Sequence, residues 1–203
     1  MEKWDILDSD GNKQGRTAVR GKTVLGNGEY HLVVHIWIFS SDGKILIQKR
    51  SNSRKLMPGE WAATGGAAMS GEDSFTAAAR ELKEELGIKS NRDNLKFLKR
   101  LKRRNSFIDI WTICSDTPIK ALKLQRSEVS EARWVSPDHL KTMIKEGSFH
   151  DYGKYYWSVI FGKSETEAVY ELKDCGTELS DMSFLFVFGG RCCILSYLWG
   201  AAS

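Results

Sequence analysis

The chain has 203 residues, of which 41% are hydrophobic and 28% charged, with a formal net charge of +4 at pH 7. This composition excludes a disordered chain, and the length suits one domain with some excess rather than two full domains. A positive balance this small does not indicate a nucleic-acid-binding protein, so we expect no nucleic-acid partner.

The cysteines suggest an intracellular protein. Cys114, Cys175, Cys192 and Cys193 follow neither a metal-ligand spacing nor a paired framework, and the first twelve residues carry acids and a turn where a signal peptide would be basic and apolar. We therefore expect reduced thiols, a cytoplasmic location and no membrane association.

The N-terminal half begins with predicted strands. Residues 4–7 read as a short strand that ends in the turn-forming run 8–12. Residues 31–39 (HLVVHIWIF) are almost continuously apolar, which predicts a strand buried on both faces. A turn at 41–43 leads into a second strand at 45–50, so these two strands should form a hairpin.

The clearest helix covers residues 73–86 and ends before Gly87, a typical C-terminal cap. Apolar residues recur along it at spacings of three and four, which predicts one buried stripe. The stripe consists of Phe75, Ala78, Ala79, Leu82 and Leu86.

Two further strands are predicted at 107–114 and 132–135, followed by a helix that starts at Ser136–Pro137 and ends at Gly147. Strands that alternate with helices indicate an α/β domain whose helices pack on a mixed sheet.

The last forty residues differ in character. A capping-box pattern from Ser164 to Glu167 favours the start of a short helix, and residues 183–199 are strongly apolar. We expect this run to pack on the domain, because glycines and Arg191 interrupt a segment barely long enough to cross a bilayer.

Three glutamates of the 73–86 helix lie on one face. Glu81, Glu84 and Glu85 stand at i, i+3 and i+4, and a solvated acidic face softened by Arg80 and Lys83 is the ordinary explanation of such a cluster. The alternative is a site for a hard divalent cation, because carboxylates are the ligands that Mg²⁺ prefers. The preceding Gly65–Gly66 pair favours this alternative, since residues without a Cβ let the backbone approach an ion or phosphate closely.

Residues 66–88 (GAAMSGEDSFTAAARELKEELGI) match the Nudix box pattern G-x5-E-x7-R-E-U-x-E-E-x-G-U at every specified position. The chain thus resembles the Nudix family. The resemblance implies the Nudix fold, a mixed β-sheet sandwiched between α-helices, in a domain of residues 1–163, with 164–203 as a C-terminal extension.

The resemblance also implies roles for individual residues. Glu81, Glu84 and Glu85 would be catalytic and bind metal, and Glu81 would act as or assist the general base. The Gly65 carbonyl would complete the metal shell, and an acid outside the box is commonly recruited. Glu128 is the best-placed candidate for that acid and Glu131 a weaker one, whereas the pair Glu72 and Arg80 would orient the box. The implied cofactor is Mg²⁺, with Mn²⁺ as an alternative.

Other side chains have two explanations each. Arg50 ends a strand where Nudix proteins often present an arginine to substrate phosphate, or it is simply solvated. His31 and His35 line a pocket or are satisfied core or rim histidines, and Trp61 is expected to pack the loop rather than stack on a base. The basic run 96–104 (KFLKRLKRR) holds a polyphosphate or forms a solvated strand and turn face.

The implied function is Mg²⁺-dependent hydrolysis of the pyrophosphate bond in a nucleoside diphosphate linked to another moiety. The substrate would be a small nucleotide or other diphosphate. A homodimer is compatible with the sequence, which does not decide the oligomeric state. The stretches around 28–51 and 58–61 also resemble isopentenyl-diphosphate isomerases, but residues 62–70 (AATGGAAMS) lack the cysteine that isomerases need. A third hypothesis, a non-catalytic nucleotide-binding domain, conflicts with the complete set of box acids.

Overall fold

The structure is a computed structural model that describes residues 1–162. Within this range, two strands form a hairpin, seven strands form a mixed sheet, and three helices pack around it. The strands are β1 (Lys3–Leu7), β2 (Lys13–Val19), β3 (His31–Phe39), β4 (Ile45–Arg50), β5 (Trp61–Ala62), β6 (Thr64–Ala67), β7 (Leu95–Lys102), β8 (Ser106–Cys114) and β9 (Val129–Val135). The α-helices are α1 (Ser74–Leu86), α2 (Pro137–Lys145) and α3 (Lys154–Phe161), and a 3₁₀ turn covers Ile119–Ala121.

Strand β3 is the centre of the large sheet. It runs parallel to β8 along one edge, and along its other edge it pairs antiparallel with β4 and with β6. The predicted hairpin of β3 and β4 is present, with Phe39 opposite Ile45. Residues 36–39 are all buried, as expected of a strand covered on both faces.

The two faces of the sheet bury different side chains. Even-numbered residues of β3, such as Ile36, pack against the alanines and leucines of α1. Odd-numbered residues, such as Trp37, pack against α2, α3 and an aromatic group that includes Tyr156. The expected α/β fold is therefore confirmed, with the mixed sheet sandwiched between helices.

Helix α1 has the predicted caps. The Asp73 side chain accepts a hydrogen bond from the Thr76 backbone N–H at 2.7 Å, and Gly87 ends the helix in the left-handed conformation with φ 73°. The buried stripe contains one residue that an apolar pattern does not predict, because Glu85 is buried along with Ala78 and Leu82.

Several elements differ from the sequence expectation. Strand β9 begins at Val129, three residues earlier than expected, and α2 ends at Lys145, just before Gly147. Strand β2, the short strands β5 and β6, and helix α3 were not predicted. The capping box at 164–167 and the apolar run 183–199 lie outside the described residues, so the domain boundary at 163 stays a prediction. None of the helices within residues 1–162 is long and apolar enough to span a membrane.

Candidate active site

A cleft of about 850 Å³ lies beside the edge of β3 that β4 and β6 share. Helix α1 supplies acidic side chains to it, and the loop at 51–60 supplies basic ones. The β1–β2 hairpin contributes Glu2, Trp4 and Arg20 to its rim. All residues of the predicted site except Glu72 line this cleft.

Glu85 is the most deeply placed acid of the cleft, with only 3% of its surface exposed. Its Oε2 accepts hydrogen bonds from Gln48 Nε2 at 2.8 Å and from the Gly65 backbone N–H at 3.2 Å. Burial, reinforced by the negative charge of Glu81, raises the pKa of the Glu85 carboxyl to about 8 despite these two bonds. The protein thus leaves the negative charge of ionised Glu85 largely uncompensated, and a cation brought into the cleft would favour the ionised form.

Arg80 joins the other box acids into a network. It donates to both carboxylate oxygens of Glu72, at 2.7 and 3.0 Å, and to the Ala67 carbonyl at 3.1 Å. The same guanidinium reaches Glu81 at 2.9 Å and the more exposed Glu84 at 3.1 Å. Burial still raises the pKa of Glu81, although the Arg80 charge opposes it. Arg80 is thus placed both to fix the loop before α1 and to hold two of the glutamates.

The two glycines before the loop allow close packing that no side chain would permit. A Cβ at Gly65 would lie 2.1 Å from the Val34 carbonyl oxygen, and one at Gly66 would lie 2.3 Å from Glu81 Oε1. Glycine is therefore required at position 65 for β6 to pair with β3, whereas a side chain at position 66 would have to displace the Glu81 carboxylate.

Glu128 reaches the cleft from the segment before β9. It forms an ion pair with Arg54, and its negative charge contributes to the raised pKa values of Glu81 and Glu85. The structure thus brings Glu128 to the box acids. Glu131 does not line the cleft and pairs with Arg133 on the exposed side of β9.

Arg50 lies in the cleft wall rather than in open solvent. Only 8% of its surface is exposed, and its Nε donates to the Leu56 carbonyl at 3.0 Å, which ties the loop at 51–60 to the end of β4. Arg54 and Lys55 of this loop also line the cleft. The basic wall thus faces the acidic wall of α1.

Both predicted histidines line the cleft. His31 stacks on Trp4, with ring centroids 4.3 Å apart. His35 lies between Tyr152 and Tyr156 of the aromatic face, and burial lowers the pKa of its imidazole to about 3. Trp61 packs into the core as expected, with Arg133 over its ring.

The basic run 96–104 forms most of β7, which is an edge strand. Arg100 pairs with Asp109, and Lys102 donates to the Ser9 carbonyl, while none of the run lines the cleft. The solvated strand face is therefore its correct description within the described residues.

The family implies a divalent metal ion, and the donor types of the cleft fit one. Glu81, Glu84, Glu85 and Glu128 offer only oxygen donors, which suit hard cations better than zinc. No three acidic, histidine or cysteine side chains within residues 1–162 already form a closed metal-binding group. The reason is visible in the bonds: Arg80 holds Glu81 and Glu84, while Gln48 holds Glu85.

Four residues that sequence reasoning missed make contacts important to this region: Gln48, Arg54, Tyr152 and Tyr156. One signal was available, because Gln48 is a polar residue within the apolar strand 45–50 and is buried there beside Glu85. The other three act through contacts with residues 74, 89 and 121 positions away, which no local pattern encodes.

The comparisons with known proteins agree with this geometry. A profile described as the NUDIX domain matches residues 29–157. An uncharacterized Nudix hydrolase from Listeria monocytogenes is 37% identical over 153 residues, covering 75% of this chain and 90% of the relative. Another uncharacterized Nudix hydrolase, from Pseudomonas aeruginosa, is 34% identical over 126 residues and covers 61% and 70%.

A solved structure shows the same fold. The crystal structure of DR0079 from Deinococcus radiodurans has a TM-score of 0.66 and 24% sequence identity, and the match covers 80% of this chain and all of that one. Together with the box acids gathered around one cleft, these matches lead to one assignment: the chain belongs to the Nudix family, whose hydrolases act on pyrophosphate bonds and generally use divalent metal ions.

Proposed function

We propose that this protein is a Mg²⁺-dependent hydrolase that cleaves the pyrophosphate bond of a nucleoside diphosphate linked to another moiety. The observation that carries the proposal is the position of Glu85, a buried carboxyl group that lines an 850 Å³ cleft and has no cationic hydrogen-bond partner within residues 1–162. Burial raises the pKa of this carboxyl to about 8, because the protein does not compensate its negative charge. A cation bound beside it would compensate that charge, so a carboxyl group at this position favours a site that is completed by a bound cation.

The two walls of the cleft suit an anionic substrate held by a cation. Arg50, Arg54 and Lys55 offer guanidinium and ammonium donors to phosphoryl oxygens. The opposite wall carries Glu81, Glu84 and Glu85, whose negative charges would repel phosphate without a cation between them. When bound there, Mg²⁺ would neutralise phosphoryl oxygens and promote the attack of water on phosphorus.

Residues of the protein would then supply the general base, the positioning contacts and a further metal ligand. Glu81, with its raised pKa, is the candidate to take the proton of the attacking water. Arg80 and Glu72 hold the loop before α1, so they would keep Glu81 in place rather than touch the substrate. Glu128 would join the metal ligands from the opposite side, where Arg54 positions it.

A substrate and metal screen tests this function. Purified full-length protein is incubated with nucleoside di- and triphosphates, nucleotide sugars, dinucleoside polyphosphates and coenzymes, with Mg²⁺, with Mn²⁺ or with chelator. We expect turnover of at least one diphosphate-linked nucleoside with either metal, none with chelator, and ¹⁸O from labelled water in one phosphate product.

Two outcomes would contradict the proposal. Turnover that persists in chelator would show that the carboxylates do not work through a cation. Rearrangement of isopentenyl diphosphate without any phosphate release would instead favour the isomerase hypothesis.

A further inference from the structure

His35 has a chain of hydrogen bonds behind it that leads away from the cleft. The indole Nε1 of Trp37 lies 2.8 Å from the Tyr156 hydroxyl oxygen, and this oxygen lies 2.9 Å from His35 Nδ1. Trp37 and Tyr156 are fully buried on the aromatic face of the sheet. Tyr156 belongs to α3, so this helix connects the core to the cleft wall.

The direction of these hydrogen bonds follows from which groups can donate and which can accept. An indole N–H can only donate, so the Tyr156 oxygen accepts from Trp37. The hydroxyl proton of Tyr156 is buried and needs an acceptor, and His35 Nδ1 is the acceptor available to it within the described residues. Because Nδ1 accepts, it carries no proton, and the ring proton lies on Nε2.

His35 is one of the residues that line the cleft, and its Nε2 is the ring nitrogen that is left for a contact there. Within residues 1–162 it has no hydrogen-bond partner, and it is not among the polar atoms sealed from solvent. His35 pairs with Gly65 across β3 and β6 and lies near the positive charge of Arg50. The His35 ring is held against Tyr152, with the centroids 4.8 Å apart, so this donor has a fixed direction.

We propose that His35 donates its Nε2–H to a phosphoryl oxygen of the substrate, and that Trp37 and Tyr156 are positioning residues that hold His35 in this tautomer. The proposal rests on the proposed function, because a phosphoryl oxygen is the acceptor that a pyrophosphate substrate would bring between Arg50 and Gly65. It gives the aromatic face of the sheet a role in binding substrate.

The assignment also excludes another role for His35. An imidazole whose Nε2 already carries the proton cannot accept one from water at that atom, so His35 is not the general base. It would add a directed hydrogen bond beside the arginine, and a hydrogen bond to a charged group changes affinity by about 10–100-fold.

The tautomer is measured without assuming any activity. In protein labelled with ¹⁵N-histidine, we expect long-range ¹H–¹⁵N spectra to show an unprotonated Nδ1 and a protonated Nε2 for His35. In Tyr156→Phe, Nδ1 loses its donor, and we expect the spectrum to move towards a mixture of tautomers. A protonated Nδ1 in the wild type would overturn the proposal.

Binding is measured with methylenediphosphonate, a non-hydrolysable pyrophosphate analogue, in the presence of Mg²⁺. We expect His35→Phe to weaken binding about 10–100-fold and to raise KM for the best substrate by a similar factor. His35→Gln, which keeps a donor near the position of Nε2, should recover most of the affinity. His139→Gln, an exposed histidine of α2, is the control and should bind like the wild type.

The outcomes separate the two proposals. Unchanged analogue affinity in folded His35→Phe would overturn the role of His35 even if the enzyme hydrolyses nucleotides. Failure of the wild type to hydrolyse any member of the substrate panel would overturn the proposed function, whereas loss of analogue binding on removal of the donor would still support the His35 contact.

Discussion

The two faces of the central sheet are built from different residues, and they serve the cleft differently. Under α1 the core is mostly alanines, leucines and isoleucines, and small side chains such as Ala77 and Ala78 let the helix lie close to the strands. On the opposite face a group of aromatic residues joins the aliphatic ones, and Tyr156 and Trp37 bring polar atoms into the core. Close packing thus places the carboxylates, whereas aromatic groups with polar tips orient His35.

The largest expected effect lies on the α1 face. Glu85→Gln preserves side-chain size but removes the negative charge from the deepest position in the cleft. If Glu85 stabilises the bound cation, kcat/KM should fall about 10²–10³-fold while the thermal transition remains. Steady-state kinetics on the best substrate measures this, and a variant that keeps more than about a tenth of the activity would refute the metal assignment.

A pair of core variants tests whether the two faces differ as described. Ala78→Leu should push α1 away from the sheet, costing about 1–3 kcal/mol and lowering kcat/KM at least tenfold because the carboxylates move. Leu140→Ala, in α2 on the aromatic side, should cost more stability, about 2–5 kcal/mol, yet retain activity below its unfolding temperature. Urea unfolding measures the stability of the two variants, and kinetics at about 15 °C measure their activity. Equal losses of activity in the two variants would show that the two faces do not differ in this way.

The ionisation of Glu85 predicts a smaller, pH-dependent effect on stability. Its carboxyl pKa is raised to about 8 from an ordinary 4.5, so the folded state favours the protonated form. The penalty for burying the charge is absent below about pH 4.5 and grows as the pH rises towards 8. In chelator, the free energy of unfolding of the wild type should therefore fall relative to Glu85→Gln across this window, by up to a few kcal/mol.

Chemical denaturation at several pH values tests this dependence. Added Mg²⁺ should narrow the gap between the two proteins at high pH, because a cation would compensate the carboxylate. Parallel stability curves would mean that burial of Glu85 does not control its ionisation.

The smallest effect is expected from truncation after residue 163. Both core clusters are formed by residues of the described range, and α3 contributes Tyr156 and Ile160 to the one that it packs against. The shortened protein should therefore unfold cooperatively and keep its activity, as circular dichroism and the substrate assay would show. Insolubility or loss of the thermal transition would mean that residues 164–203 belong to the folded domain.

The sequence predicted the α1 face better than the aromatic face. The spacing of Glu81, Glu84 and Glu85 is local, since one helical turn places them together whatever the rest of the chain does. The bond from Gln48 to Glu85 joins residues 37 positions apart, and the contact of His35 with Tyr156 joins residues 121 apart. Such contacts depend on how the sheet is assembled, so no pattern along the chain reveals them.

There are also physical reasons why helix α3 and strand β6 could not be predicted from the sequence. Helix α3 (KYYWSVIF) has no polar and apolar alternation of helical period, and its N-cap Gly153 provides no side-chain cap. Strand β6 (TGGA) has low strand propensity, and its pairing with β3 determines it instead. In both cases tertiary packing overrides the local preference of the residues.

Strand β7 also affects whether two copies of the protein can pair through the edges of their sheets. Within the described residues, β7 is the last strand at one end of the large sheet, and an edge strand is a template on which another strand can add. Lys96, Lys99 and Lys102 repeat along this strand, so a second copy aligned edge to edge would set lysine against lysine. The like charges of the basic run would therefore disfavour edge-to-edge pairing of two copies, and salt should weaken this effect by screening the charges.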